Sequence, residues 1–153
     1  MVSSIPYVLF ELDGTAYALS SEVVQRMEMV EQVTPVPNAL SFVDGVVFSR
    51  GKVVPAINLR RRFGFEKIPY DLRTRLIVVS HAERSVGLIV DSAREFVTIP
   101  AEAMQPRPDA MGGTSGNYVS GIATVNNRVI LILDVAEILN HSEVLPAQPQ
   151  TSK

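Results

Sequence analysis

Two histidines, no cysteine and no tryptophan leave this chain with few side chains that do chemistry. His81-Ala82-Glu83 has the His-x-Glu spacing found in zinc deaminases, but the cysteine pair that completes such a site cannot exist here. His81 therefore reads as a strand-end residue beside a turn. His141 stands alone in the C-terminal tail, and two histidines so far apart specify no metal site by spacing. Gly112-Gly113-Thr114-Ser115-Gly116 is glycine-rich, yet it lacks the Lys-Ser/Thr ending of a phosphate loop. Its central Thr114 also excludes a Gly-x-Ser-x-Gly nucleophile elbow. Glu11 and Asp13 alternate on one strand face, where solubility explains them more simply than acid–base catalysis, which needs a cleft and shifted pKa values. No catalytic, metal or cofactor site is assigned, and no enzyme is expected.

What remains is the segment from Phe42 to Gly64, in which Gly45, Gly51, Pro55 and Gly64 constrain the backbone around Arg50. An arginine at a strand end, flanked by apolar residues, suits bidentate recognition of a carboxylate or of backbone carbonyls. Pairing with a surface acid of its own domain explains it equally well, and the residues alone do not choose.

The elements that must carry this segment are mostly short strands. Alternating or apolar runs at residues 7–12, 16–19, 27–33, 46–50, 52–57, 75–81, 85–91, 94–99, 119–124 and 128–133 read as ten strands. Asp13-Gly14 joins the first two as a hairpin, and Asn126 and Asn127 help to turn the last pair. Ser20 and Ser21 are good caps for a helical turn, and Pro55 points to an edge position or a bulge. Asn58 caps a short helix at 59–63, Asp134 another at 135–139, and residues 101–105 suit one helical turn. Residues 106–117 form the one long loop. Many short strands with few helices mean an all-β barrel or sandwich.

Composition agrees. The 153 residues are 46% hydrophobic and 20% charged, which describes a folding chain rather than a disordered one. Formal charge is -2, which argues against nucleic acid as the main partner. The balance is uneven, however. Residues 50–75 hold eight basic side chains against Glu66 and Asp71, a net of +6, so the remainder carries -8. Such polarity suits either an acidic partner or a solvated surface. The N-terminus shows no secretion signal, and no apolar run reaches the roughly 20 residues of a membrane helix, so a cytoplasmic protein is expected.

The 42–64 segment closely resembles the signature of CheW-like domains, the adaptors of bacterial chemosensory arrays. The matching positions are Gly45, Val46, Arg50, Gly51, Val54, Pro55, Leu59 and Arg60. The likeness continues through residues 7–12, 86–91 with Gly87, 118–122 with Gly121, and 130–134, covering roughly residues 5–140. It implies an all-β fold of two packed five-stranded SH3-like barrels with short helices. Residues 5–140 would be one domain of two β-subdomains, with an N-terminal extension at 1–4 and a flexible tail at 141–153.

The function so implied is a non-catalytic adaptor with no cofactor. It couples the cytoplasmic hairpin of a chemoreceptor to the regulatory domain of a CheA-type histidine kinase and is recruited to membrane-associated arrays without entering the membrane. Self-association into rings is left open. Carried over by position, Arg50 is a receptor or array contact, and Val24 and Met27 lie on the receptor-facing groove, with core packing an equal explanation for Val24. Gly87 and Glu95 are assigned to strands of the other barrel that face the kinase. Arg60 reads as a structural pin of the short helix or as a direct contact. Two departures stand out: Phe48-Ser49 replaces the usual Asn-Leu, and Asn58 replaces the usual Asp. The alternative is a small-molecule-binding barrel using the His81/Asp91 region. Nucleic-acid binding through residues 50–75 is a weaker reading still.

Overall fold

The computed structural model describes residues 4–108 and 118–140, with no side-chain account of Ser4 and Glu95. The glycine-rich segment 112–116, most of the expected 106–117 loop, His141 and the tail lie outside the described residues. The elements in chain order are β1 (Ser4–Leu12), β2 (Thr15–Ser20), β3 (Val24–Met29), β4 (Val43–Ser49), β5 (Lys52–Asn58), α1 (Leu59–Arg62), β6 (Arg75–His81), β7 (Arg84–Val90), β8 (Ser92–Pro100), β9 (Met104–Pro106), β10 (Val119–Val125), β11 (Arg128–Leu133) and α2 (Val135–Ile138).

These strands make two sheets, one of six strands in the order β8-β1-β2-β11-β10-β9 and one of five in the order β3-β6-β7-β5-β4. Each sheet wraps around a small core of its own. Tyr7, Leu9, Ala16, Ala18, Ile130 and Ile132 fill the first, and Val47, Val54, Ala56, Leu76, Val78 and Ile89 fill the second. The intervening residues of the same strands point the other way, because successive strand side chains alternate between faces. Val8, Phe10, Leu12, Tyr17 and Leu19 thereby meet Ile77, Val79, Val86, Leu88 and Val90 in a third and larger core between the barrels. Strands with two buried faces read as continuous apolar runs, which is why residues 76–79 and 86–90 lack polar alternation.

Local signals set most boundaries. Asp13-Gly14, Arg50-Gly51 and Asn126-Asn127 are two-residue turns with positive φ at both positions, the geometry that matches hairpin twist. Asn58 caps α1 through Arg61 N–H, and Asp134 caps α2 through Ala136 N–H. Asn58 also donates to the Asp44 carboxylate at 2.9 Å. An aspartate at 58 would set two carboxylates together, so this departure from the family signature suits its neighbour.

Four expectations need correction. Ser20-Ser21 leads only into a hydrogen-bonded turn, and β3 starts at Val24. That strand ends at Met29 rather than residue 33, because Val30 and Val33 fold over the core of the five-stranded sheet. Residues 101–105 divide into a single 3-10 turn, Ala101–Ala103, and β9, which pairs with β10 and is the sixth strand of this sheet among the described residues. Pro55 lies in an interior strand rather than at an edge, and the register shift nearest to it falls one pair along, between Val43 and Gly45 opposite Ile57 and Ala56. It is tolerated because its partner Val46 directs both backbone groups away from β5 to Thr34, so the missing N–H faces no acceptor on β4.

The Ala82-Glu83 turn joins β6 to β7 with φ of 53° and 65°, a conformation that L-residues with a Cβ adopt at a cost. Replacing this pair by Asn-Gly should stabilise the protein by about 1 kcal/mol, read as a rise in urea midpoint at unchanged slope.

Candidate interaction surfaces

Arg50 stands at the tip of the β4–β5 hairpin, exposed, with its backbone in the left-handed region at φ 52° and Gly51 following at 82°. Among the described residues its guanidinium forms no hydrogen bond or ion pair, although its charge acts on Glu28. Phe48 and Val53 are direct cross-strand partners on the outer face below it, 75% and 65% exposed. Ser49, the next residue, points inward and is buried.

Ser49 belongs to a polar seam that the sequence did not disclose. Arg26 Nη2 donates to Ser49 Oγ at 2.5 Å, Ser49 Oγ donates to Glu28 Oε2 at 2.8 Å, and Arg26 Nε donates to the same oxygen at 2.7 Å. These bonds tie β3 to β4, the two edge strands of the five-stranded sheet. Partial burial pulls the Glu28 carboxyl pKa up. The bonds from Arg26 and Ser49, with the charges of Arg26 and Arg50, outweigh it and hold the group below its usual range. The seam is therefore intact at neutral pH and loosens as pH falls through that lowered pKa.

Val24 and Met27 are half-buried on β3 and pack against the shared core. Met27 also lines an open hollow of about 600 Å³ with Glu28, Met29, Arg75, Ala93 and Arg94, between β3 of one sheet and β8 of the other. Val24 does not line it. Phe96, 49% exposed, sits on β8 opposite Val8.

Arg60 is enclosed by the fold. Its Nε and Nη2 donate to the two Asp91 carboxylate oxygens at 2.8 and 2.9 Å, Nη2 also reaches Asp13 at 3.3 Å, and Nη1 donates to the Glu66 carbonyl. The bonds to Asp91, with the Asp91 and Asp13 charges, raise its pKa against a desolvation penalty. Asp13 belongs to the β1–β2 turn and Asp91 to the β7–β8 junction, so one side chain pins both sheets to α1. Arg62 makes a second staple. It donates to the Ile138 carbonyl at the end of α2 and lies over the Phe42 and Tyr118 rings at 4.7 and 5.0 Å. Lys67 pairs with buried Asp44. Arg60 and Arg62 of the basic 50–75 stretch are thus spent inside the molecule, whereas Lys67 is paired but stays exposed.

Gly87 and Glu95, assigned by sequence to one barrel, lie on different sheets. Gly87 is on β7 of the five-stranded sheet that also carries Arg50, and Glu95 is on β8 of the other. Gly87 is buried, and a Cβ there would stand 2.6 Å from Leu76 Cδ1. Its role is to let Leu76 pack, and it presents no side chain to a partner.

His81 and Asp91 do not form one site. His81 pairs with Arg84 at one end of the β6–β7 hairpin, while Asp91 follows Val90 at the other, seven residues beyond Arg84 or roughly 23 Å. The Asp91 carboxylate is occupied by Arg60 and by Asp13 N–H. Among the described residues no group of three or more His, Cys, Asp or Glu could hold a metal ion.

Removing Arg60 strands a partly buried carboxylate, so Arg60→Ala should cost about 2–3 kcal/mol in urea denaturation. Arg60→Lys should recover little of it, since an ammonium cannot span both Asp91 oxygens. Gly87→Ala should cost about 1–3 kcal/mol, and Leu76→Val in the same chain should return part of the loss.

Comparison with known proteins gives one answer. The CheW-like domain family matches residues 6–143. The chemotaxis protein CheW of Klebsiella aerogenes is 29% identical over 138 residues, covering 90% of this chain and 83% of its own length. CheW of Helicobacter pylori is 31% identical over 137 residues, covering 88% and 81%. The crystal structure of the scaffolding protein TtCheW from Thermoanaerobacter tengcongensis superposes with a TM-score of 0.84 at 27% identity, over 92% of this chain and 96% of that one.

Proposed function

The chain belongs to the CheW-like domain family, and from that premise we propose how its two surfaces serve a chemotaxis adaptor. Such a protein is a scaffold and does no chemistry; its work is to couple binding equilibria. We assign the coupling to a CheA-type kinase regulatory domain on one side and the cytoplasmic hairpin of a chemoreceptor on the other. A shift in the receptor then alters kinase activity only to the extent that the two states contact the adaptor differently.

The observation that carries the site assignment is the Arg50 tip. A guanidinium is held out on a tight two-residue turn, at the end of a hairpin anchored by the seam and by its own barrel's core. Its rigid fork suits a partner carboxylate or a pair of carbonyls, and the rigidity of the hairpin limits the entropy lost on docking. The hollow lined by Met27, Met29, Ala93 and Arg94 supplies the second surface, for the receptor hairpin. Glu95 is kept as a kinase-side contact from its place on β8. Arg60 and Gly87 act from within, by holding the barrels in register. Among the described residues no helix is long and apolar enough to cross a membrane.

Calorimetry with the regulatory domain of a CheA-type kinase, and with a receptor hairpin fragment, tests the assignment. Arg50→Glu should keep the melting temperature and weaken one of these complexes at least tenfold, about 1.4 kcal/mol. A lowered melting temperature with no specific loss of binding would make Arg50 a structural residue instead.

A further inference from the structure

The outer face of the β4–β5 hairpin breaks the alternation that an exposed antiparallel pair should show. Its inner residues, Val47, Val54 and Ala56, fill the barrel core, so the outer ones should be polar. Instead the outward positions carry two cross-strand apolar pairs, Val46 opposite Pro55 and Phe48 opposite Val53. The first pair is half-buried beside Thr34. The second is open to solvent, with Phe48 75% and Val53 65% exposed. Directly opposed side chains lie on the same face and close together, so the two form one apolar platform rather than scattered residues.

The tip end of this platform is cationic. Arg50 and Lys52 bracket Gly51 at the tip, both exposed. The only acid in the hairpin sequence is Asp44, whose side chain is 4% exposed and engaged by Lys67, Asn58 and Tyr70. Glu28 and Glu31 lie on the β3 side, where they line an open hollow with Phe48, so the cations are confined to the tip and call for carboxylates at that end of the partner. A second copy would bring the same two cations as well as the same apolar pair, and the test below separates that occupant from a different protein.

We propose that Phe48 and Val53, flanked by Lys52 and Arg50, form a specificity platform for a partner protein whose apolar ridge is edged with carboxylates. This rests on the adaptor reading and deepens it. Phe48 and Ser49 are two adjacent positions at which the chain departs from the signature it resembles. The same departure explains both residues at once, since Ser49 turns inward to the seam while Phe48 turns outward.

The test measures binding of the full chain to the kinase regulatory domain and to the receptor hairpin fragment, at two salt concentrations, with sedimentation of the chain alone. Phe48→Asn/Val53→Thr should leave the melting temperature unchanged and raise the Kd for one of them at least tenfold. Lys52→Glu should weaken the same complex and reduce its dependence on salt. Wild-type binding with all variants within twofold would overturn the platform and leave the adaptor function standing. Self-association abolished by Phe48→Asn/Val53→Thr, with partner binding intact, would assign the platform to a second copy and overturn it too. Wild-type protein that binds neither fragment would overturn the adaptor reading, and the platform with it.

Discussion

The core between the barrels belongs to neither sheet, and both sheets depend on it. Val8, Phe10, Leu12, Tyr17 and Leu19 come from one sheet and Ile77, Val79, Val86, Leu88 and Val90 from the other, all of them nearly without solvent exposure. The cores inside the individual barrels are smaller. Separating the barrels would uncover the larger core at roughly 25 cal/mol for each Å² of apolar surface, a penalty that neither small barrel could bear alone. The two subdomains are therefore expected to unfold as one unit, and surfaces on either barrel keep a fixed relation to each other.

Polar contacts then decide how that apolar sandwich is aligned. Burial is non-directional, whereas the bidentate Arg60–Asp91 pair and the stacking of Arg62 between Phe42 and Tyr118 are satisfied in one geometry only. Both arginines come from α1, a helix of four residues, and both reach from the five-stranded side to elements of the other sheet. The aromatic rings of Phe10, Tyr17, Phe63 and Tyr118 continue the same link at centroid spacings of 5.8, 5.8 and 4.9 Å. For a protein that transmits a binding event between two surfaces this matters, because a loose joint would dissipate a small shift at one of them.

Surface chemistry is correspondingly sparse and localised. With Arg60, Arg62, Lys67 and Arg75 engaged internally, the exposed positive charge of the 50–75 stretch falls mainly to Arg50, Lys52, Arg61 and Arg73. The hairpin tip combines two of these with the largest apolar pair on the outside of the five-stranded sheet. The inter-barrel hollow offers a different character, with two methionines whose flexible thioethers adapt to varied apolar partners.

Periodicity and turn chemistry were enough to determine the all-β class, the hairpins at Asp13-Gly14 and Asn126-Asn127, and the caps at Asn58 and Asp134, because each is settled by residues within a few positions of one another. The 42–64 signature likewise marked the hairpin that carries Arg50. Which face of a doubly apolar strand enters which core was not legible, since Val8 and Leu9 are alike in sequence and differ only in the neighbours that folding brings to them. Nor was the fate of the arginines. Arg50 and Arg60 both read as candidate contacts, and only the tertiary structure closed Asp91 and Asp13, 31 and 47 residues away, around one and left the other at a turn in solvent. Ser49 was seen as a departure from a pattern, but its partners Arg26 and Glu28 sit across a barrel seam that does not exist until the sheet curls. Local conformation is written in local residues, whereas pairing across sequence distance is decided by which arrangement buries both faces of β1, β2, β6 and β7 while leaving no charge inside without its counterpart.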